Sequence, residues 1–513
     1  MIVVYHNNIK VIKVFEYENN KELSFIGKTI QEVLILTAKD NKTLIIGWCH
    51  VRLKEEIDIL EWKSVFKHSL IMASFEVAKH FFINSSIGYV EDSPFIKVNK
   101  KVNYPTWLMS SDVGAIHASV LLKFEKLLKH KLSFSYFLNS VSKIGMKKGL
   151  LCYSVPSLIK KSKLVPTINK NTISKTEMFQ FLKSNYKKRW QFIYLINNLL
   201  YKQKFLLWPL LKSLFKKKIN CEVNFTDIKN ENKNDISNPS IDVLIPTLGR
   251  ASYLKDVLID LSNQTLLPTK VIIIEQNLDI NNSSELDFLS DKWPFKIDHT
   301  FIHQLGACNA RNIALQKVTS DWAFFADDDI RLNNNVLENS FKYINLYGAK
   351  AVTLSCLQKN EIEKNKVIHQ WLAFGSGTSI VKLSSLKNLK FDLAYEFGYG
   401  EDGDFGMQLR NNGIDILYIP SVKMLHLKAP IGGFRKKIIN EWDDEYIQPK
   451  PSPTIMVFKL KHATKEQLQG YKTILFFKFY KVQSIKSPFK YYKIMNKRWR
   501  KSIFWANWLI NKS

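Results

Sequence analysis

The sequence has few cysteines for its length, and none of them are paired at a metal-binding or redox spacing. The five cysteines of the 513-residue chain are scattered, and no CxxC motif occurs. This distribution excludes a disulfide framework and a cysteine-based zinc site, and it favours a reducing cytoplasm. The length allows two or three domains with sizeable cores, and a hydrophobic content of 46% is typical of a globular protein.

Long uncharged apolar runs are also lacking. The nearest candidates are Trp190–Tyr201, which contains two asparagines, and Phe205–Leu211, which is short and contains a proline. Neither reaches the roughly 20 apolar residues that a membrane-spanning helix requires. The first residues do not combine a charged segment with a long apolar core, so we expect no signal peptide.

Negative charge is scarce relative to positive charge, and arginine is scarce relative to lysine. The formal net charge is +29, most of it from lysine. Abundant lysine, asparagine and isoleucine indicate an AT-rich coding bias, which explains part of this excess. The physical interpretation is attraction to a polyanion. Base recognition relies on arginine and on a recognition motif, and we find no such motif; an anionic membrane surface is therefore the preferred partner, and nucleic acid is not expected.

Four segments are predicted along the chain. Residues 1–165 alternate strand-like and helix-like patterns and predict an α/β domain. Residues 166–239 contain a basic amphipathic helical segment, which either lies on a membrane or packs as a linker, and then a polar linker. Residues 240–445 show a sharper strand–helix alternation. Residues 446–513 form a basic aromatic helical tail that either lies at a membrane interface or packs on the core.

The stretch Trp322–Ile330 places Asp327, Asp328 and Asp329 directly after a run of apolar residues. Such a run predicts a buried strand, and open α/β sheets bind ligands at the carboxyl ends of their strands. Three adjacent carboxylates repel one another unless a cation or water neutralises them. The alternatives are a divalent-metal site and a solvated acidic turn.

The sequence around these aspartates supports a nucleotide-binding α/β domain. Ile241–Arg250 and Lys270–Asn277 are predicted as buried strands joined by a helix, which makes a right-handed βαβ unit. Over about residues 240–430 the chain resembles family 2 glycosyltransferases of the GT-A fold, which are Rossmann-like nucleotide-diphospho-sugar transferases. The motifs that carry this resemblance, in the family's order, are VLIPTLGR, VIIIEQN, GACNARNIAL, FFADDDI, GYGEDGDFGMQLRNNG and YIPSVKMLH.

The resemblance implies an inverting, metal-dependent enzyme of bacterial polysaccharide synthesis. It would transfer a sugar from a UDP-, GDP- or dTDP-linked donor to a saccharide or lipid-linked acceptor, at the inner face of the membrane. Asp402 would be the general base, and Glu401 would hold the acceptor or orient the loop. Mn²⁺ or Mg²⁺ would be bound by Asp329 and His426. The implied nucleotide-sugar site consists of Pro246, Thr247, Arg250, Glu275, Arg311, Asp327 and Asp328, although Asp328 has no assigned role.

Structural alternatives stay open for several of these residues. Acidic residues favour helix N-termini without any catalytic role, and His426 could be a satisfied core histidine. Gly432 and Gly433 predict a loop that presents Arg435, Lys436 and Lys437, either to the donor diphosphate or simply to solvent. A saccharide- or nucleotide-binding protein without turnover is the rival function.

Similar spacings in the two α/β segments suggest an internal duplication. The residues that recur are Gly114, Gly149 and Pro156 in the first segment, and Gly377, Gly413 and Pro420 in the second. In this alignment Phe137 and Leu138 stand where the second segment has Glu401 and Asp402. The first segment is therefore predicted to be a degenerate GT-A-like copy without catalysis, with chance similarity between two α/β domains as the alternative.

Overall fold

The chain divides into two compact units in a computed structural model that describes residues 1–78, 80–160, 168, 172–228, 236–430 and 439–512. The first unit comprises Met1–Asn232 with Ala463–Phe479, and the second comprises Lys233–His462 with Tyr480–Ser513. These bounds differ from the four predicted segments, because the basic helical segment lies in the first unit and both units share the tail. Among the described residues, no helix has the length and hydropathy needed to cross a membrane.

The first unit contains a mixed sheet with the order β3-β2-β1-β4-β7-β5-β8-β6. β1 and β4 are parallel, as are β5 and β8, and the other neighbours are antiparallel. The central strands are continuous apolar runs because helices cover both faces of such a sheet. The strands are β1 (Ile2–His6), β2 (Val11–Glu16), β3 (Lys21–Leu23), β4 (Ile45–His50), β5 (Ile71–Phe75), β6 (Tyr104–Pro105), β7 (Val113–His117) and β8 (Leu151–Ser154).

The first unit has helices between its strands and further helices after its last strand, β8. Those among the strands are α1 (Ile30–Asp40), α2 (Ile59–Val65), α3 (Ala118–Leu122) and α4 (Phe134–Gly145). The helices after β8 are α5 (Lys175–Asn185), α6 (Arg189–Lys202) and α7 (Leu207–Phe215). α6 and α7 correspond to the two apolar runs that were too short or too polar to span a membrane.

The second unit contains a mixed sheet with the order β11-β10-β9-β12-β16-β14-β17-β13, and β15 also pairs with β17. β11, β10, β9 and β12 are parallel, which confirms the predicted βαβ arrangement. The strands are β9 (Ile241–Thr247), β10 (Lys270–Gln276), β11 (Lys296–Ile302), β12 (Trp322–Ala326), β13 (Ile330–Leu332), β14 (Ala351–Leu357), β15 (His369–Gln370), β16 (Thr378–Lys382) and β17 (Leu417–His426).

The helices of the second unit pack on this sheet or follow it. α8 buries an apolar face that consists of Leu254, Val257, Leu258 and Leu261. The helices are α8 (Ala251–Ser262), α9 (Ala307–Gln316), α10 (Val336–Tyr347), α11 (Glu401–Asn411), α12 (Pro453–His462) and α14 (Pro488–Lys512). Between the last two, α13 (Lys465–Tyr480) lies largely in the first unit.

Five strands of each sheet have the same chain order, the same neighbours and the same directions. β1, β4, β7, β5 and β8 correspond in this way to β9, β12, β16, β14 and β17. One row of paired residues runs Val3–Gly47–Ala115–Ala73–Tyr153 in the first sheet. The equivalent row in the second sheet is Val243–Phe324–Ile380–Val352–Leu417.

This row of paired residues agrees with one of the predicted residue equivalences and corrects another. Tyr153 follows Gly149 by the same interval at which Leu417 follows Gly413, so these two glycines are equivalent. In the same alignment Gly377 corresponds to Asp112, so Gly114 does not correspond to Gly377 as the sequence spacing suggested. The sheets differ at one edge, where β2 and β3 form an antiparallel hairpin in place of the parallel strands β10 and β11.

Candidate active site

β12 delivers the three consecutive aspartates to the carboxyl edge of the second sheet. All five residues of this strand are buried, as the apolar run predicted. The chain leaves the strand at Asp327, and each of the three aspartates then contacts a different set of partners. The acidic run is therefore not a solvated turn, since Asp328 and Asp329 are both buried.

Asp328 binds the turn between β9 and α8. Its Oδ2 accepts a hydrogen bond from Thr247 Oγ1 at 2.8 Å, and its Oδ1 lies 2.6 Å from Arg250 Nη1. Burial raises the pKa of Asp328 to about 6, while Arg250 and Thr247 oppose that rise. These contacts give Asp328 a role in positioning two residues that line the site.

Asp329 lies beside His426, which is reached through the antiparallel pairing of β13 and β17. His426 Nε2 is 3.3 Å from Asp329 Oδ1, and the backbone N–H of Ala429 donates to Asp329 Oδ2 at 2.9 Å. Burial favours a higher pKa for Asp329, but His426, Ala429 and Arg250 outweigh it and lower the pKa. The structure thus brings together the two residues that were predicted to bind a metal.

Asp327 pairs with Arg311 from the first turns of α9. Arg311 Nη2 donates to Asp327 Oδ1 at 3.1 Å, and Arg311 is buried. The carboxylate of Asp327 also lies against Gly377, where a Cβ atom would come within 2.0 Å of Oδ2. The small-residue segment Gly375–Ser379 therefore leaves the space that Asp327 occupies.

Glu401 and Asp402 stand in the first turn of α11, on the other side of the site. The backbone N–H of Ser376 donates to Asp402 Oδ1 at 3.1 Å, and that of Gly400 donates to Glu401 Oε2 at 2.9 Å. Burial raises the pKa of Asp402, and burial together with the neighbouring carboxylate raises that of Glu401. Asp404, in the same turn, instead accepts hydrogen bonds from His462 at 2.6 Å and Tyr395 at 3.2 Å.

Glu396 is a member of the site that the sequence did not indicate. Its carboxylate accepts hydrogen bonds from the backbone N–H groups of Cys308 and Asn309, at 3.0 and 2.9 Å, at the N-terminus of α9. Gly306 allows this approach, because a Cβ there would lie 2.5 Å from the carboxylate. No sequence signal identifies Glu396, since its partners lie almost 90 positions away.

These residues surround a cavity of about 460 Å³. Its wall includes every predicted site residue except Glu275, which was placed in the nucleotide pocket. Glu275 instead bonds to His299 at 2.8 Å and to Ser284 at 2.6 Å. Gln276 lines the cavity in its place, because successive residues of a strand point to opposite faces.

Trp371 stacks on Tyr418, with 4.3 Å between ring centroids and 20° between planes. The glycine loop with Arg435, Lys436 and Lys437 falls outside the described residues.

The charged groups among the described residues that line the cavity favour the binding of a cation together with an anionic ligand. Six carboxyl groups and two guanidinium groups line the cavity. A nucleoside diphosphate would meet a negative wall unless a divalent cation entered with it. No three metal-binding side chains of the described residues converge into a complete protein site. Asp329 and His426 nevertheless fit Mg²⁺ or Mn²⁺, which commonly take few protein ligands and complete their shell with water and substrate phosphates.

Residues 242–399 match the family model Glycosyl transferase family 2. The second unit contains a family 2 glycosyltransferase domain. The predictions of a GT-A fold here, of a glycosyltransferase and of a second α/β domain are confirmed. The match begins in β9 of the glycosyltransferase domain, extends over the three aspartates and ends just before Glu401.

Several solved structures are similar to parts of the chain. S. aureus TarS 1–349 is 18% identical over 37% of this chain and 60% of that chain, with a TM-score of 0.32. Its complex with UDP-GlcNAc is 16% identical over 45% and 70%, with a TM-score of 0.34. GalNAc-T7 with UDP, GalNAc and Mn²⁺ is 14% identical over 38% and 44%, with a TM-score of 0.33. The chain thus spans about 60% of the first of these, and no curated protein matches it.

Proposed function

We propose that the glycosyltransferase domain is an inverting, metal-dependent enzyme that transfers a sugar from a nucleoside-diphosphate donor to a saccharide or lipid-linked saccharide. The observation that carries this proposal is the arrangement of two acidic groups in one cavity. Asp329 stands with His426 at the carboxyl edge of the sheet, and Asp402 stands in the first turn of α11. The first group suits a divalent cation that would neutralise the donor diphosphate, and the second suits the proton of the acceptor hydroxyl.

Asp402 is the proposed general base. Inverting transfer needs a carboxylate that accepts the proton of the acceptor hydroxyl as its oxygen attacks the anomeric carbon. The hydrogen bond from Ser376 orients one oxygen of Asp402. A raised pKa strengthens the carboxylate as a proton acceptor, because it brings its basicity closer to neutral pH.

The donor diphosphate is the proposed ligand of the sheet edge. Asp329 and His426 would hold Mn²⁺ or Mg²⁺, which when bound would neutralise the charge of the leaving diphosphate. Arg250 and Arg311 supply fixed positive charge in the same wall, and Asp328 and Asp327 hold them in place. Pro246, Thr247 and Gln276 complete the donor side.

The acceptor is proposed to bind in a groove of about 740 Å³ that shares Asp402 with the donor cavity. Trp371 and Tyr418 form part of its wall, and stacked aromatic rings suit the faces of sugar rings. Glu363 lines the groove and accepts hydrogen bonds from Ser355 and the Tyr418 hydroxyl. An acceptor hydroxyl bound here would lie close to Asp402.

The charge of the chain supports the proposed location. The net charge of +29 favours an anionic membrane surface as partner, and so a protein that is peripheral at the inner membrane face. Surface-polysaccharide synthesis is proposed from the family resemblance. Nucleic acid is not a proposed partner. A gel shift at moderate salt that showed tight binding to DNA or RNA would contradict this assignment.

A screen of nucleotide sugars, with and without Mn²⁺, tests the function. We expect slow metal-stimulated hydrolysis of one donor, and transfer once an acceptor is supplied. Asp402→Asn should abolish transfer but retain donor binding, whereas Asp329→Asn should also weaken Mn²⁺ binding, measured directly by calorimetry with the nucleotide. If both variants kept full function, the protein would be a non-catalytic saccharide- or nucleotide-binding protein.

We also propose that the first unit is a degenerate copy of the glycosyltransferase domain. The shared row of strand pairs supports this, as does the equivalence of Gly149 with Gly413. At the register of Asp327 and Asp329 the first unit has His50 and Arg52, which cannot replace a pair of carboxylates.

The other two functional positions of this copy are also lost. Phe137 and Leu138, which the sequence aligned with the catalytic pair, are both buried on α4. The hairpin of β2 and β3 replaces the parallel strand whose carboxyl end contributes Gln276 to the donor cavity. Calorimetry of the full chain should therefore give one nucleotide site, and Asp329→Asn should weaken it without revealing another. A stoichiometry of two would overturn this proposal.

A further inference from the structure

Helix α7 turns its apolar side toward solvent. Leu210 and Ser213 are buried, whereas five larger residues of the helix are exposed. These five residues, named here the α7 arc, are Leu207, Trp208, Leu211, Leu214 and Phe215. At about 100° per residue they cover about 120° of the helix, and the centre of this sector lies about 130° from the mean direction of Leu210 and Ser213. A helix of a globular domain normally has the reverse orientation.

Polar contacts with α5 hold α7 in this orientation. Lys183 Nζ donates to the backbone carbonyls of Leu214 and Lys216, at 2.9 and 2.8 Å. Gln180 Nε2 donates to the carbonyl of Lys217 at 3.1 Å. Carbonyls at the end of a helix have no partner within the helix, so these bonds both satisfy and anchor it. The arc therefore belongs to a packed helix.

The charge around the arc has one sign. Between Glu177 and Glu222 the chain has no acidic residue, and it has ten basic ones. Lys212 lies within the helix, with Nζ 5.4 Å from the centroid of the Trp208 ring. The lysines next to the arc, all exposed, are Lys204, Lys212, Lys216, Lys217 and Lys218.

We propose that the α7 arc and its lysines are the surface that binds an anionic lipid bilayer. Interfacial helices place aromatic and aliphatic side chains at the level of the headgroups, while lysines meet the lipid phosphates. Trp208 is 66% exposed and Phe215 is 91% exposed, so neither needs a rearrangement to insert. A second copy of the chain is a poorer occupant, because a two-fold interface would bring these lysine clusters against each other.

This inference goes beyond the membrane association proposed above, because it names the surface, and it does not depend on the proposed sugar transfer. It is tested by co-sedimenting the full chain with vesicles of phosphatidylcholine and phosphatidylglycerol in equal parts. We expect binding to these vesicles, with little binding to pure phosphatidylcholine. The combined change Trp208→Ser, Leu211→Ser and Phe215→Ser should weaken binding by roughly tenfold or more. The combined change of Lys216, Lys217 and Lys218 to Gln should weaken it similarly and reduce its salt dependence.

A matched control replaces three exposed apolar residues of the same unit, Ile9, Ile26 and Leu60, with serine. This variant should bind vesicles like the unchanged chain. The far-UV circular dichroism and the thermal unfolding of all variants should match those of the unchanged chain, which shows that the first unit still folds. Unchanged vesicle binding by the α7 variants would overturn the proposal. A dimer in the absence of lipid that the same α7 changes dissolve would also overturn it, since a second copy would then cover the arc.

Discussion

The carboxylate of Asp328 joins two residues of the β9–α8 turn, Thr247 at 2.8 Å and Arg250 at 2.6 Å. Thr247 ends β9, and Arg250 directly precedes α8, so this one side chain fixes both ends of the turn to the end of β12. Arg250 also lies 3.3 Å from Asp329. Asp328 is thus a positioning residue, which sets where a fixed cation stands beside the proposed metal ligands.

Asp328→Asn should weaken donor binding more than it slows the chemical step. Loss of a buried charged hydrogen bond costs about 1.5–3 kcal/mol, which corresponds to a rise in the donor KM of roughly ten- to a hundredfold. Steady-state kinetics at varied donor concentration separates the effect on KM from the effect on kcat. Thr247→Val, which removes only a neutral hydroxyl, should cost about 1 kcal/mol. A loss confined to kcat would instead place Asp328 in the chemistry.

The pH dependence of transfer should report the burial of Asp402. The base acts only when deprotonated, and burial raises its pKa, so activity should fall on the acid side at a higher pH than an ordinary aspartate would give. Asp327→Asn removes a nearby negative charge that helps to raise the pKa of Asp402, so it should lower that pKa and move this limb to lower pH. The exposed Glu285→Gln is the control. An acid limb that stayed in place in Asp327→Asn would argue against Asp402 as the titrating base.

Gly377→Ala should disturb Asp327 without unfolding the domain. The added Cβ would meet the tip of a side chain at 2.0 Å, so Asp327 would rotate away from Arg311. We expect the midpoint of thermal unfolding to change little and nucleotide affinity to fall by about tenfold. In an Asp327→Ala background the same change should have no further effect. Additive losses in the double variant would contradict this explanation.

In the first unit, Lys143 should stabilise the fold through Glu91. Glu91 accepts hydrogen bonds from Lys143 Nζ and, at 2.6 Å, from the Tyr186 hydroxyl, and Lys143 lies over the Trp107 ring. Burial favours a higher pKa for Glu91, but Lys143 and Tyr186 outweigh it and lower the pKa to about 2. Because the unfolded value is higher, this stabilisation is present above about pH 4.5 and is lost as the pH falls toward 2.

Lys143→Met should therefore lower the free energy of unfolding by about 3–5 kcal/mol at neutral pH, since it leaves a buried carboxylate unpaired. Chemical denaturation measures this loss, which should shrink in acid as Glu91 takes up a proton. Adding Glu91→Gln to Lys143→Met should restore much of the stability. If the double variant were as unstable as the single one, lost packing rather than the charge pair would explain the effect.

The sequence was most informative where a motif occupies one continuous strand. The apolar run before Asp327 leaves little choice but a buried strand, and the structure has one there. Glu275 shows the limit of this reasoning. Side chains alternate across a strand, so a shift of one residue selects the wrong face, and the cavity is lined by Gln276.

Contacts between segments that lie far apart in the chain were harder to predict from the sequence. His426 reaches Asp329 only through the pairing of β13 with β17, and resemblance, not spacing, predicted that they meet. Glu396 had no signal at all, because backbone N–H groups of any sequence can hold a carboxylate at a helix N-terminus. The hairpin of β2 and β3 was equally hidden, since short strands carry little information about the direction of their neighbours.

The return of the chain to the first unit at α13 constrains the order of synthesis. Thr473 bonds to Asn197 at 2.6 Å, and Gln467 bonds to the carbonyls of Glu91 and Ser93. Asn197, Glu91 and Ser93 are therefore synthesised early. Their partners Thr473 and Gln467 emerge from the ribosome only after residues 233–462. The second unit is completed later still, because it includes α14, which buries Tyr491, Met495 and Trp499. A chain that stopped before residue 463 would contain neither unit in full, and one that stopped just after Phe479 would contain only the first.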